Sequence, residues 1–303
     1  MLSISEKIET NLTTGSKFRL IWAFCIPLLL AVFLTFSQIW KPLLLANPLI
    51  SSISYPSAEM QQQVQAWVLN YPDLSQAQDR HRAFRDLTKL LQQDEKITQE
   101  VEKTILLSRK SSMELIAVTV GVLSSQGTPR AQQALCNTLQ AFHKNSEKVM
   151  LVLPQIMLLE KPQNFLFDEL QTFIRKSRTS ILRENAELTL AGLSQHAYQT
   201  NQTLAQKITS WLEIKKSTLP EDAQSLPAFL DLLGNTGNET FLVDILQATT
   251  HEDAEVRARA AYALRFFRGD RVAKALEQLT VDQNSEVKAK AAEALSYFAF
   301  IVG

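Results

Sequence analysis

The chain is poor in residues that break helices or form crosslinks. Its 303 residues include eight glycines, ten prolines and two cysteines. Two cysteines are too few for a disulfide framework, and no run of alternating β-branched residues between turn signals predicts a sheet. Lysine plus arginine equals aspartate plus glutamate, 31 of each, so no net field draws the chain to nucleic acid or acidic lipid. The composition therefore favours an all-α protein that does not have nucleic acid as a partner.

Patterns of reactive groups are also missing. The four histidines stand far apart without metal-ligand spacing, and the glycines form no phosphate-binding loop. Gly192 to His196 resembles half of a nucleophile elbow, but histidine replaces the second glycine and no strand precedes it. Cys136 is most simply a small buried residue. We therefore expect no catalytic, cofactor-binding or metal site, and a protein that is not an enzyme.

One long uncharged run, LIWAFCIPLLLAVFLTFSQIW, occupies residues 20–40. As a helix it would be about 31 Å long, against roughly 30 Å for the hydrocarbon core of a bilayer. Trp22 and Trp40 lie near its ends, where aromatic rings prefer the headgroup level. The run predicts a transmembrane helix. A cleaved signal peptide, cut near residues 35–37, and a buried core helix are the alternatives.

Flanking charges predict the orientation of that segment. Three cations precede it and only Lys41 follows closely, so the positive-inside tendency makes residues 1–19 a cytoplasmic tail. Residues 41–57 contain three prolines and a serine cluster, which predicts a stalk. We expect a single-pass protein of the cell membrane, with residues 58–303 as a helical domain on the extracytoplasmic side, either periplasmic or extracellular.

A repeated phrase predicts the architecture of that domain. EVRARAAYALRFF at residues 255–267 returns as EVKAKAAEALSYF at residues 286–298, with valine, alanines, leucine and phenylalanine in register. Such a period is typical of stacked helical pairs that bury apolar stripes against their neighbours. Apolar residues at helical spacing continue back to residue 58. The predicted fold is therefore all-α, an α-solenoid of roughly six antiparallel helix pairs.

The segments DAEVR at residues 253–257 and NSEVK at residues 284–288, each followed by an Ala-Ala-x-Ala-Leu phrase, resemble the HEAT-repeat family. The resemblance is clearest over residues 228–298. It implies a HEAT-like solenoid in which the Val-Arg helix is the second of each pair and lines the concave face. Lys288 and Asn284 replace an arginine and an aspartate, which implies a weaker ladder of paired side chains between repeats.

A weaker resemblance is to the helical superhelix of vitellogenin-type lipid-transfer proteins. It is carried by Gly127-Thr-Pro, by Val152-Leu-Pro and by LGNTGN at residues 233–238. In that family the helical arch supports β-sheet walls that enclose lipid. Because the sequence predicts no such sheets here, the resemblance implies at most the arch, and lipid as a partner has no other support.

Cations and aromatic residues interleave in the repeated phrases. The predicted partner-binding residues are Arg259, Tyr262, Arg265, Phe266 and Lys290, since aromatic and arginine side chains commonly anchor interfaces. Charge reversal at Arg259 and Arg265 is expected to weaken the binding of an acidic partner without lowering thermal stability. The alternative is a solvated repeat face whose cations are neutralised by nearby carboxylates.

The chain stops on an apolar run, YFAFIVG at residues 297–303, where a solenoid normally has a polar cap. Phe298, Phe300 and Ile301 are the predicted terminal docking residues. They either fold back onto the last repeat or dock on another protein or the membrane.

Together these features predict a membrane-anchored, non-catalytic scaffold that binds another protein, or a complex of the cell envelope, through its solenoid surface. One alternative is a structural accessory to lipid or lipoprotein handling, which follows only from the vitellogenin-type resemblance. A second alternative is a pigment lyase, because HEAT-type lyases attach bilin pigments. The membrane segment and the lack of a reactive cluster count against it.

Overall fold

Every regular element in the described part of the chain is a helix. A computed structural model describes residues 58–219 and 225–302, with side chains as far as Tyr297. Within these residues fourteen α-helices follow one another and no strand occurs, so the predicted all-α fold is confirmed for this part of the chain. Fourteen helices make seven pairs, one more than the sequence predicts.

The helices are numbered in chain order. They are α1 Ala58–Asn70, α2 Ala77–Gln93, α3 Ile97–Val101, α4 Met113–Gln126, α5 Pro129–Ala141, α6 Ser146–Met157, α7 Phe165–Lys176, α8 Ser180–Thr200, α9 Gln202–Ser217, α10 Leu226–Thr236, α11 Leu242–Ala248, α12 Ala254–Ala263, α13 Asp270–Leu279 and α14 Ser285–Val302. A π-helical turn, Glu102–Leu106, extends α3, and 3₁₀ turns at Glu239–Phe241 and Leu264–Phe266 precede α11 and follow α12.

Local sequence determines where many of these helices begin and end. The side chains of Ser112, Thr128 and Asn145 accept hydrogen bonds from first-turn N–H groups of α4, α5 and α6. Gly127 and Gly237 end α4 and α10 with φ of 58° and 59°, a backbone conformation that strains any residue with a Cβ. These residues stop and restart the chain at short intervals, as antiparallel helix pairs require.

Alternate helices pack against each other, so the chain forms two layers. The helices α2, α4, α6, α8, α10, α12 and α14 each contact the next member of this set, which we call the second layer. In the first layer, α1, α3, α5, α7 and α9 contact one another in the same order. Each pair therefore buries its apolar stripe against the pairs on either side, as in a solenoid.

The repeated phrase occupies equivalent positions in α12 and α14. Val256 and Val287, in the first turns of the two helices, are both fully buried. Ala263 and Ala294, further along the same helices, are also fully buried. The copied apolar residues thus have the same packing role in consecutive repeats, and α12 and α14 are the second helices of their pairs.

Two second-layer helices approach each other with their backbones in contact. A Cβ added to Gly234 of α10 would lie 2.6 Å from Cα of Ala263 in α12 and 2.7 Å from its Cβ. Both distances are shorter than van der Waals contact, so only glycine fits opposite this alanine. Gly121 of α4 differs, because a Cβ there would lie 3.6 Å from Cε2 of Phe84, an ordinary contact.

A buried carboxylate adjoins the π-helical turn Glu102–Leu106. Glu102 is buried, and its carboxylate accepts hydrogen bonds from Arg130 Nη2 at 2.9 Å and Asn137 Nδ2 at 2.7 Å, both on α5. Burying a charge is costly unless it is paired and hydrogen-bonded, and these two bonds supply both conditions. Nothing in the sequence predicts this turn or its polar contacts.

The predicted transmembrane helix at residues 20–40, the tail 1–19 and the stalk 41–57 lie outside the described residues. Among the helices of residues 58–219 and 225–302, none combines the length and the apolar character that crossing a bilayer requires.

Replacing Gly234 tests the close approach of α10 and α12. Gly234→Ala is expected to lower the free energy of unfolding by about 1–3 kcal/mol, because its methyl group would overlap the backbone of Ala263. Gly121→Ala is the matched control, and its better helix propensity should raise stability by about 0.5–1 kcal/mol. Denaturant unfolding of the full chain in mild detergent, followed by far-ultraviolet circular dichroism, measures both. Equal effects of the two substitutions would contradict the close approach.

Candidate protein-binding surface

The structure brings the predicted partner-binding residues of α12 and α14 together. Lys290 Nζ lies 4.6 Å from the centroid of the Tyr262 ring, and Arg265 Cζ lies 4.0 Å from the same centroid. Arg259 Nη1 donates to Asp231 Oδ2 of α10 at 3.1 Å. Three consecutive second-layer helices therefore build one surface, which we call the α12–α14 face. It consists of Asp231, Arg259, Tyr262, Lys290 and Glu293.

Arg265 lies beneath this face. It is only 7% exposed, and its guanidinium stacks over the rings of Tyr262 and Phe266, 4.0 Å and 4.3 Å from their centroids. Its Nη1 donates to the carbonyl of Tyr262 at 2.9 Å, and its Nη2 donates to Asn235 Oδ1 of α10. Burial lowers the pKa of this guanidinium. Arg265 therefore links the turn after α12 to α10. Because it is buried there, charge reversal at Arg265 is expected to lower thermal stability, which corrects the expectation from the sequence.

The exposed cations of the α12–α14 face have carboxylates beside them. The Arg259 side chain is 44% exposed, bonds Asp231 and lies 3.9 Å from Glu255. Lys290 Nζ lies 2.8 Å from Glu293 Oε2. The face thus presents charges of both signs. This agrees with the alternative of a solvated repeat face whose cations are neutralised by carboxylates, and it does not favour an acidic partner over a basic one.

The same contacts shift two pKa values. The hydrogen bond to Glu293 raises the pKa of Lys290. Burial raises the pKa of Asp231, and it outweighs the opposite effect of the nearby cations, Arg259 first among them. At the Asp231 carboxylate, the loss of hydration therefore changes the pKa more than the nearby cations do.

Arg257, another cation of the repeated phrase, links two consecutive repeats. Its Nε and Nη2 donate to the two carboxylate oxygens of Asp282, at 2.8 Å and 3.0 Å. Its Nη1 donates to the carbonyls of His251 and Glu252, both at 2.8 Å. The bond to Arg257 lowers the pKa of Asp282. Asp282, and not Asn284, thus supplies the carboxylate that pairs with Arg257 of the preceding repeat.

Two exposed aromatic residues were not predicted from the sequence. Tyr198 at the end of α8 is 40% exposed, and Tyr297 on α14 is 37% exposed, as is Phe266. The rings of Phe266 and Tyr297 meet edge to face, with centroids 6.2 Å apart at 74°. Tyr297 could have been found, because it is the copy of Phe266 in the repeated phrase. Tyr198 lies outside the phrase and carries no such signal.

Side chains of α8 cap the carboxyl end of α10. Ser194 Oγ donates to the carbonyl of Thr236 at 3.1 Å, and Gln195 Nε2 donates to the carbonyl of Asn235 at 2.7 Å. The last carbonyls of a helix have no partner within it, so these bonds replace water at the end of α10. They also fix α10 relative to α8.

The predicted terminal docking residues lie at the end of α14. The backbone stays helical as far as Val302, so Phe298, Phe300 and Ile301 continue α14. Their side chains lie outside the described residues, and their docking role stays a prediction.

Reactive groups do not gather in the described part of the chain. No group of three or more histidine, cysteine, aspartate or glutamate side chains there could hold a metal ion. Cys136 is fully buried, and burial raises the pKa of its thiol. It packs as the small buried residue that the sequence predicted.

A family model described as HEAT repeats matches residues 222–296, a stretch that begins before α10 and ends within α14. Residues 222–296 are therefore similar to HEAT repeats. The predicted resemblance is confirmed where the copied phrase lies, and the α12–α14 face belongs to these repeats. No curated protein matches the chain.

Three solved structures are similar to the chain at low identity. Human deoxyhypusine hydroxylase, in complex with glycerol, is 15% identical with a TM-score of 0.32, and the match covers 80% of this chain and 97% of that one. An engineered protein is 18% identical, with a TM-score of 0.33 and coverage of 80% and 69%. A designed armadillo repeat protein in complex with the peptide (KR)4 is 16% identical, with a TM-score of 0.30 and coverage of 80% and 100%.

Likenesses at these TM-scores carry no argument about catalysis or ligands. The vitellogenin-type resemblance finds no support in the HEAT-repeat match or in these structures. The pigment-lyase alternative stays an untested prediction.

Alanine substitution should distinguish the two arginines. Arg265→Ala is expected to lower the free energy of unfolding by about 2–4 kcal/mol, because it removes a buried side chain and leaves its hydrogen-bond acceptors without donors. Arg259→Ala, the matched control, should change it by about 1 kcal/mol or less, because the Arg259 side chain is 44% exposed. Urea unfolding of both variants measures the difference. Similar small losses would show that Arg265 is not a structural link.

Proposed function

We propose that the protein is a non-catalytic scaffold, held at a membrane by residues 20–40, that binds another protein through the α12–α14 face. The proposal rests on one observation. Arg259, Tyr262 and Lys290, which belong to two consecutive repeats, lie together on one surface. Stacked repeats typically use such extended surfaces to bind other proteins.

The partner that suits this face carries side chains of both signs. Each exposed cation of the face already has a carboxylate within 4 Å, so a purely acidic surface would be attracted by Arg259 and repelled by Glu255. A partner with interleaved charges can pair with both. Phe266, 37% exposed beside the face, adds an aromatic anchor.

The membrane anchor is proposed from the sequence. The uncharged run of 21 residues at 20–40 is long enough to span a bilayer, and most of its flanking cations precede it. In this orientation the HEAT repeats face the extracytoplasmic side, where the partner would be a component of the cell envelope.

Reporter fusions at residue 303 test the topology. A reporter that works only outside the cytoplasm is expected to be active there, and one that works only inside is expected to be inactive. A variant lacking residues 20–40 is the control, and it should reverse both results because nothing then carries the domain across. Activity of the cytoplasmic reporter on the full chain would reverse the proposed orientation.

Co-purification in mild detergent from native membranes tests the binding surface. Arg259→Glu combined with Lys290→Glu is expected to lower the recovery of the partner by about tenfold or more, because like charges then meet across the interface. Lys207→Glu is the matched control, since Lys207 also forms a solvent-exposed pair, with Asp168 at 3.5 Å, but lies on α9 in the first layer. Unchanged recovery with the double variant, at wild-type thermal stability, would exclude the α12–α14 face.

A further inference from the structure

One face of α2 carries two exposed arginines beside a hollow. The polar residues of this face, at spacings of three and four positions, are Gln78, His81, Arg82 and Arg85. Residues at these spacings are neighbours on a helix surface, and all four are exposed. Together with Phe84 they line a hollow with a volume of about 410 Å³. We call these five residues the α2 stripe.

The carboxylates of α2 leave the two arginines largely free. Arg82 lies 3.8 Å from Asp79, and the two side chains are 55% and 42% exposed. The Asp86 carboxylate accepts a hydrogen bond from Tyr71 Oη. Within the described part of the chain, no hydrogen bond or ion pair holds the guanidinium of Arg85. The α2 stripe therefore differs from the α12–α14 face, where each exposed cation has a carboxylate beside it.

The neighbouring second-layer helix adds no charge at the level of the hollow. α4 packs against α2, and a Cβ on its Gly121 would lie 3.6 Å from Cε2 of Phe84. The only charged residue of α4 is Glu114, which lies about two helical turns before Gly121. The surface of α4 beside Phe84 is therefore uncharged, and the arginines of the stripe determine the sign of the local charge.

We propose that the α2 stripe binds an acidic segment of another protein, whose carboxylates pair with Arg82 and Arg85 in the hollow. A planar guanidinium can donate two parallel N–H bonds to one carboxylate. Because the two arginines are neighbours on the helix, two carboxylates of one segment can pair with both. A surface of one charge sign also disfavours a basic segment, since like charges would then meet.

The number and arrangement of these cations favour a protein over other polyanions. Proteins that bind duplex DNA often contact about six to ten phosphates, whereas the stripe supplies two arginines and one histidine. A bilayer presents a plane of headgroups. The hollow is a recess on one helix face, which the side chain of a partner can enter. An acidic protein segment therefore fits the stripe best.

The inference goes beyond the proposed function. The α2 stripe shares no residue with the α12–α14 face, and the two lie at opposite ends of the second layer. Binding at one of them does not require the other. Substitutions in the α12–α14 face are therefore expected to leave binding at the α2 stripe unchanged.

Fluorescence anisotropy of a labelled peptide tests the α2 stripe. The probe is a short peptide of alternating glutamate and alanine, mixed at low ionic strength with the full chain in mild detergent. The wild type is expected to bind it more tightly than a peptide with lysine in place of glutamate. Arg82→Glu combined with Arg85→Glu should raise the dissociation constant for the glutamate peptide by about tenfold or more, because like charges then meet.

Arg175→Glu combined with Arg178→Glu is the matched control. Both arginines are exposed at the end of α7, in the first layer, and the double substitution changes the net charge equally. It should leave the dissociation constant unchanged. Thermal unfolding checks the stability of both double variants. If charge reversal on α2 lowers it, Arg82→Gln combined with Arg85→Gln decides instead, since it removes the cations and keeps polar side chains.

Three results would overturn the proposal. The first is a wild type that does not bind the glutamate peptide or binds the lysine peptide equally well. The second is an equal loss of binding in the α2 variant and in the control. The third is loss of peptide binding in micelles that contain phosphatidylglycerol but not in micelles that contain phosphatidylcholine, which would assign the stripe to lipid headgroups.

Discussion

The packing of each second-layer helix against the next, closest between α10 and α12, is the constraint on which the rest of the structure depends. Gly234 leaves no room for a methyl group against Ala263, and Val256, Ala260 and Ala291 are fully buried in the same layer. Because the helices approach so closely, each repeat makes dense dispersion contacts that exist only while its neighbours are present. A single pair could not bury its apolar stripe, so the stack is the stable unit.

Polar contacts between repeats add to this packing. Ser124 of α4 donates to the carbonyl of Gln155 in α6 at 2.7 Å, at the end of the helix where carbonyls lack intrahelical partners. Arg257 and Asp282 form a bidentate pair from one repeat to the next. Bonds of this kind are geometrically specific, so they fix how one repeat sits on another. Surface residues of different repeats then keep a constant spacing, which a binding surface built from several repeats requires.

The sequence predicts the packing of this solenoid better than its surface. Apolar periodicity directly reflects which side of a helix is buried, so the copied phrase is enough to place Val256 and Val287 in equivalent sites. It does not show that Arg265 is buried, because the acceptor Asn235 lies 30 positions earlier, in a helix without the phrase. The residue type alone does not distinguish an arginine that bonds its own backbone from one that bonds another protein. Tyr198 was missed for a related reason, since only the stacking of α8, α10 and α12 brings it close to Gly237 and Phe266.

The arginines of α12 and its 3₁₀ turn therefore belong to two groups with different consequences. Ion pairs of exposed side chains contribute about 0–1 kcal/mol, so Arg259, which is 44% exposed, can exchange its bond to Asp231 for contacts with another protein at little loss of stability. Arg257 and Arg265 cannot be exchanged in this way, because they satisfy carbonyl or carboxylate groups of adjacent segments. In the proposed function, the first group contacts the partner while the second group holds the helices together. The location of the exchangeable pairs, and not the number of cations, determines where a protein can bind.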